Sequence, residues 1–103
     1  MRIGITYVGR TMVYKLNIDT GAERFLKKLK KKNPNGASVI ANHILELKRD
    51  PYTPRPMCDI VKIVGRVNEY RLRIGKARAE YTVNDNEIII TKIFIKKRKS
   101  NYR

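Results

Sequence analysis

The sequence has one histidine (His43), one cysteine (Cys58), no tryptophan and only 9 acidic residues among 103. Each shortage excludes something. A lone cysteine closes no intramolecular disulfide, and with a lone histidine it builds no zinc cluster, so a reducing cytoplasm and no metal or cofactor are expected. No apolar run approaches the roughly 20 residues that span a bilayer. Residues 1–10 also lack the continuous apolar stretch of a signal peptide, so no membrane partner is expected.

Positive charge is what the chain has in excess. Its 24 Lys and Arg outnumber the acids enough to leave a net charge of +15. Such a field draws polyanions. Nucleic acid is the leading partner, because each neutralised phosphate releases condensed counterions. An acidic protein would also satisfy the charge. Apolar residues make up 42% of the chain, near the globular norm, so a core is expected and disorder is not. The length suits one domain, and its small core must be well patterned.

The pattern divides the chain in two. Residues 13–19 alternate with period two and read as a strand. Thr20-Gly21-Ala22-Glu23 fits a capping box, with Thr20 as the cap. Ala22, Phe25, Leu26 and Leu29 then recur at helical spacing to about Lys32, with Arg24, Lys27, Lys28, Lys30 and Lys31 on the outer, solvated side. Asn33-Pro34 opens a second helix, since proline suits the first helical position. Ala37, Ile40, Ala41, Ile44 and Leu47 form its buried stripe. Asp50-Pro51 ends it, because a proline ring disfavours helix in the residue before it. His43 is read as packing or helix surface, and Cys58 as a small buried residue.

The second half reads as strands: 59–64, 69–74, 77–83 and 87–95. Gly75-Lys76 and Asn84-Asp85-Asn86 supply the turns. A strand, two antiparallel helices and four further strands make a two-layer α+β domain, with the helices on one face of a mostly antiparallel sheet. Arg71 and Arg73, two apart on a strand, leave the same face, and Arg78 lies across a tight turn from them. Guanidinium groups match phosphate oxygens bidentately, as lysine does not. Charge and alternation alone leave two readings open: a phosphodiester cradle, or the solvated face of a basic protein.

The wording of the run resembles a known family. Val61-Lys62-Ile63-Val64-Gly65 is followed by Glu69-Tyr70-Arg71-Leu72-Arg73-Ile74-Gly75-Lys76-Ala77-Arg78-Ala79-Glu80-Tyr81, and later by Phe94-Ile95-Lys96-Lys97-Arg98-Lys99-Ser100-Asn101-Tyr102. This is similar to the signature of the RelE/ParE toxin superfamily. Ala77 stands where the family often has tyrosine. Glu80 replaces an apolar residue, and either pairs with an arginine or serves as a general base. Residues 1–11 lack a family counterpart and read as an N-terminal extension, either an extra edge strand or the product of an upstream start codon. Residues 12–103 form the RelE-like domain.

The resemblance implies a microbial-ribonuclease-like fold and a toxin of a type II toxin–antitoxin system. It implies an endoribonuclease that cuts mRNA at the ribosome: the 2′-hydroxyl attacks the adjacent phosphate and the 5′-oxygen leaves. By motif position, Arg71 and Arg73 lie near the scissile phosphate and Arg78 stabilises its charge. Arg98 stabilises charge or acts on the leaving group, and Tyr102 stacks on a base or orients the 2′-hydroxyl; Lys97 and Glu80 are accessory. An acidic or amphipathic antitoxin is the implied partner. Two other readings stay open: a ParE-like toxin that binds DNA gyrase, and a non-catalytic RNA-binding protein.

Overall fold

The structure is a computed structural model, and it describes residues 6–8 and 11–96. Strand β3 (Lys15–Ile18) leads into helix α1 (Thr20–Lys32) and helix α2 (Pro34–Glu46). Four strands follow: β4 (Asp59–Lys62), β5 (Glu69–Ile74), β6 (Ala77–Asn84) and β7 (Glu87–Ile95). These last four and β3 form one five-stranded sheet in the order β3-β7-β6-β5-β4. The β3–β7 pair is parallel and the others are antiparallel. The expected two-layer α+β architecture is therefore the one observed.

Two short strands lie ahead of β3. Strands β1 (Thr6–Val8) and β2 (Thr11–Val13) make a separate two-stranded antiparallel sheet. The strand expected over 13–19 is thus two elements, with Tyr14 between them. The Tyr14 N–H donates to the Lys48 carbonyl at 2.8 Å, which ties the start of β3 to the end of α2.

Helix α1 begins one residue earlier than the capping box implied. Asp19 is the N-cap and makes no side-chain cap bond; Thr20 is already helical. Glu23 still lies in the first turn and Lys30, Lys31 and Lys32 in the last, the arrangement that suits the helix dipole. Ala22 is buried, and Phe25, Leu26 and Leu29 pack against the core. Asn33 alone joins the helices. Its side chain accepts from the Gly36 N–H at 2.9 Å, capping α2, while its own N–H bonds to the Leu29 carbonyl that ends α1.

Past α2, Arg55 folds back beneath the helix end. Its Nη2 donates to the Glu46 carbonyl at 2.8 Å, and its Nη1 donates to the carbonyls of Asp50 and Thr53. One guanidinium thereby satisfies three carbonyls in a loop where three prolines occur between 51 and 56. Cys58 is fully buried beneath this loop, and burial pushes its thiol pKa up, so it behaves as a packing residue.

The helices cover one face of the sheet. Ile60, Leu72, Ile74, Ala79, Tyr81, Val83, Ile88, Ile90 and Ile93 point toward them and are buried. Each large apolar side chain taken fully from water contributes about 1.5–3 kcal/mol. Tyr81 brings its hydroxyl into this interior and donates it to the Pro51 carbonyl at 2.7 Å. Its ring stacks on Tyr70, which meets Tyr52 edge-on at 5.6 Å.

Candidate functional site on the open face of the sheet

Among the described residues no helix lies on the other face of the sheet, and strand register decides what it carries. Two rows of side chains cross four strands. One row runs Val61, Arg71, Glu80, Lys92, and the next runs Asp59, Arg73, Arg78, Phe94. Neighbours in a row stand on adjacent strands, about 5 Å apart along the hydrogen-bonding direction. The structure thus places Arg71, Arg73, Arg78 and Glu80 on one face of the sheet, beside Asp59, Lys92 and Phe94.

Each arginine is held separately. Arg71 donates to Glu80 Oε2 twice, from Nε at 3.1 Å and from Nη2 at 2.7 Å. Arg73 grips Asp59 as a fork, Nε to Oδ2 at 3.1 Å and Nη2 to Oδ1 at 3.0 Å. Asp59 pushes the Arg73 guanidinium pKa further up, first by hydrogen bonding and then by charge. Arg78 instead turns back on its hairpin, with Nη1 donating to the carbonyls of Gly75 and Ala77 at 2.7 and 2.8 Å. Gly75 supplies the positive φ of +56° that this two-residue turn needs. Three arginines share a face, but they do not converge on one point; carboxylates and turn carbonyls fix each in place.

Both ion pairs use the Nε/Nη2 edge of the guanidinium and leave Nη1 out of the pair. A second anion can therefore be met without breaking the first contact. Phe94 adds an aromatic ring beneath the Lys92 ammonium, 4.9 Å from its centroid. The face is an open surface, whereas the marked hollows lie elsewhere, between α1 and α2 and beside the start of β3. Among the described residues no group of His, Cys, Asp and Glu could hold a metal ion, and no helix is long and apolar enough to cross a membrane.

The remaining expected site residues, Lys97, Arg98 and Tyr102, lie outside the described residues. Ala77 turns to the core and is buried. His43 bonds through Nδ1 with the Val39 carbonyl one turn back on α2, away from the open face.

A β-bulge lies at the centre of this surface. The β6–β7 register shifts between Glu80 and Tyr81, so that Glu80 pairs with Lys92 and Tyr81 with Ile90. Thr91 is the extra residue, and its hydroxyl donates to the Glu80 carbonyl at 3.2 Å. The bulge lets Ile90 and Ile93 both face the core while Lys92 joins the charged row. Its sequence signal is Thr91-Lys92, two successive polar residues inside an otherwise apolar strand.

Comparison with known proteins identifies the family. The family model described as the ParE toxin of type II toxin–antitoxin systems matches residues 16–102. The chain belongs to the RelE/ParE toxin superfamily. It is a type II toxin–antitoxin toxin of that group. A RelE1 toxin relative from Methanocaldococcus jannaschii is 40% identical over 73 residues, which are 69% of this chain and 80% of the relative. The archaeal RelE–RelB complex of Pyrococcus horikoshii OT3 contains a chain 28% identical to this one. It matches with TM-score 0.68 over 85% of this chain and 100% of its own. A YoeB/ParE toxin from Agrobacterium tumefaciens shares the fold at 14% identity, with TM-score 0.68 over 81% of this chain and 99% of its own. In this RelE/ParE chain the matched span takes in both rows of the open face.

Proposed function

We propose that this RelE/ParE protein, through its toxin domain of residues 12–103, is an endoribonuclease that cuts mRNA at the ribosome. The carrying observation is the open face itself. Three guanidinium groups and Lys92 stand on adjacent strands, two of the arginines with one edge outside any ion pair. Cleavage by 2′-hydroxyl attack builds charge on the phosphate, and preorganised cations stabilise that charge without changing protonation state. Arg71, Arg73 and Arg78 take this role, joined by Arg98 and with Tyr102 at the base or 2′-hydroxyl. A flat basic surface suits a polymer presented by a large assembly, and the cytoplasm is where that assembly works.

An acidic, amphipathic antitoxin is the second partner. The relative from Pyrococcus horikoshii is a RelE in complex with RelB. In this chain the groove between α1 and α2 is lined by Leu26, Ala37 and Ala41, with two cations, Lys27 and Lys30, against one acid, Glu23. An acidic helix with one apolar face matches both.

The description of the matching family model favours a second reading, a ParE-like toxin that acts on DNA gyrase without cutting RNA. Primer extension on transcripts from induced cells, beside a supercoiling assay with purified gyrase, separates the two. Discrete transcript cuts and unaffected gyrase are expected, with growth inhibition lost in both Arg78→Ala and Arg98→Ala. Intact transcripts with inhibited gyrase would sink the nuclease reading.

A further inference from the structure

Attack by a 2′-hydroxyl needs a group that takes its proton, and arginine, with a pKa above about 12, is a poor one. We infer that Glu80 is that general base. The inference rests on the nuclease reading above and adds to it the residue that moves the proton.

Among the described residues, the two rows carry two carboxylates, Asp59 and Glu80. Asp59 is on β4, at the sheet edge, and Arg73 occupies both of its oxygens. Glu80 differs in both respects. It lies on β6, the middle strand of five, and both bonds from Arg71 end on Oε2. Oε1 takes no part in that pair, and it is not among the buried polar atoms left without a partner. The Glu80 side chain keeps 22% of its surface exposed, so a substrate hydroxyl can reach it.

The surroundings are those of a phosphate site. Arg71 faces Glu80 from β5 and Lys92 from β7, with Arg78 two residues away on the same face of its own strand. Arg71 and Lys92 thus flank one carboxylate from the two neighbouring strands, and a phosphodiester seated above Glu80 would meet both. The bulge at Thr91 on β7, whose hydroxyl donates to the Glu80 carbonyl, turns Lys92 onto this face opposite Glu80. Bulges of this kind recur beside active sites because they redirect one residue without disturbing the ladder beyond.

Glu80 Oε1 takes the 2′-hydroxyl proton as the 2′-oxygen bonds to phosphorus. The bond from phosphorus to the 5′-oxygen breaks, and that oxygen takes a proton from water. The products are a 2′,3′-cyclic phosphate and a 5′-hydroxyl, and Glu80 returns its proton to solvent. Arg71 then has two roles, orienting the base through Nε and Nη2 and meeting the phosphate through Nη1.

A Glu80 that only positions Arg71 makes a different prediction, and the conservative variants separate the two. Cleavage rates on mRNA-programmed ribosomes would be followed from acid to neutral pH for the wild type, Glu80→Gln and Glu80→Asp, with thermal melts to confirm folding. The glutamine oxygen still accepts from Arg71 but takes no proton. Glu80→Gln is expected to be slower by about 10²–10⁴-fold and to lose the acid-side fall in rate that the wild type shows. Glu80→Asp keeps a base at shorter reach, so it should retain part of the rate and the whole acid limb. A folded Glu80→Gln with wild-type rate and pH profile overturns the inference, as does a folded Glu80→Asp without an acid limb. A wild-type protein that leaves the mRNA uncut overturns the nuclease reading itself, which is a separate result.

Discussion

Arg71 and Leu72 are consecutive in sequence and leave opposite faces of β5. Leu72 is fully buried beneath the helices, while Arg71 keeps 38% of its side-chain surface exposed beside Glu80. The covered face is held by packing, where every methylene counts. The open face is held by register and by hydrogen bonds to half-exposed groups, each worth little to the fold. Packing and the charged surface are therefore separated by one step along a strand. The open face can carry four cations because the covered face supplies the free energy that folds the chain.

Paired substitutions at these positions test that separation, and they carry the largest effect. Leu72→Ala is expected to lower unfolding free energy by about 2–5 kcal/mol. Arg71→Ala should change it by no more than about 1 kcal/mol while sharply reducing transcript cleavage. Urea titrations beside cleavage assays read both. If Arg71→Ala destabilised the chain as much as Leu72→Ala, the division between the faces would fail.

Tyr81 sharpens the same contrast from the covered side. Burial, the largest influence, pushes its hydroxyl pKa up, which favours the protonated form that donates to the Pro51 carbonyl. Tyr81→Phe keeps the ring stack with Tyr70 and leaves a buried carbonyl without its partner. A loss of about 1–3 kcal/mol is expected, with cleavage per folded molecule unchanged. An unchanged urea midpoint would show that water reaches the Pro51 carbonyl.

How far the sequence could be read follows the same division. The alternation of Tyr70, Leu72 and Ile74 against Arg71 and Arg73 is a period-two signal, and the structure places those residues as the period requires. The helices were legible from spacing, from Asn33-Pro34 and from the basic last turn of α1. What escaped was pairing between distant segments. Nothing local to Asp59 says that Arg73, 14 residues on, will grip it; only the register of β4 on β5 decides that. Arg55 reads as one more cation in a basic chain until the loop turns it under α2. The bulge at Thr91 hid inside an apolar run, where Thr91-Lys92 was the single irregularity. The capping box failed for a different reason: its residue types were right, but the helix started one residue sooner.

The smallest effect belongs to the loop that links the two faces, and it is a pH effect. Asp50 accepts from the N–H groups of Tyr52 and Thr53 at 2.8 and 3.1 Å. Burial, the largest single influence, pulls its carboxyl pKa up. The Thr53 hydroxyl, the two N–H groups and the charge of Arg55 together outweigh it, so the net shift is down from 3.8. A carboxyl with a lower pKa in the folded state adds stability that is complete above its unfolded value. That stability is lost as pH falls through the folded value. Asp50→Asn keeps an oxygen acceptor but loses the charge, and should cost under about 1 kcal/mol at neutral pH. The gap between wild type and variant should then close as pH drops below 3.8, because the protonated aspartate is no better an acceptor than the amide. Urea midpoints at neutral pH and on either side of that value measure the gap. A gap that stayed constant across the series would assign the cost to the shape of the turn, with no share for the carboxylate charge.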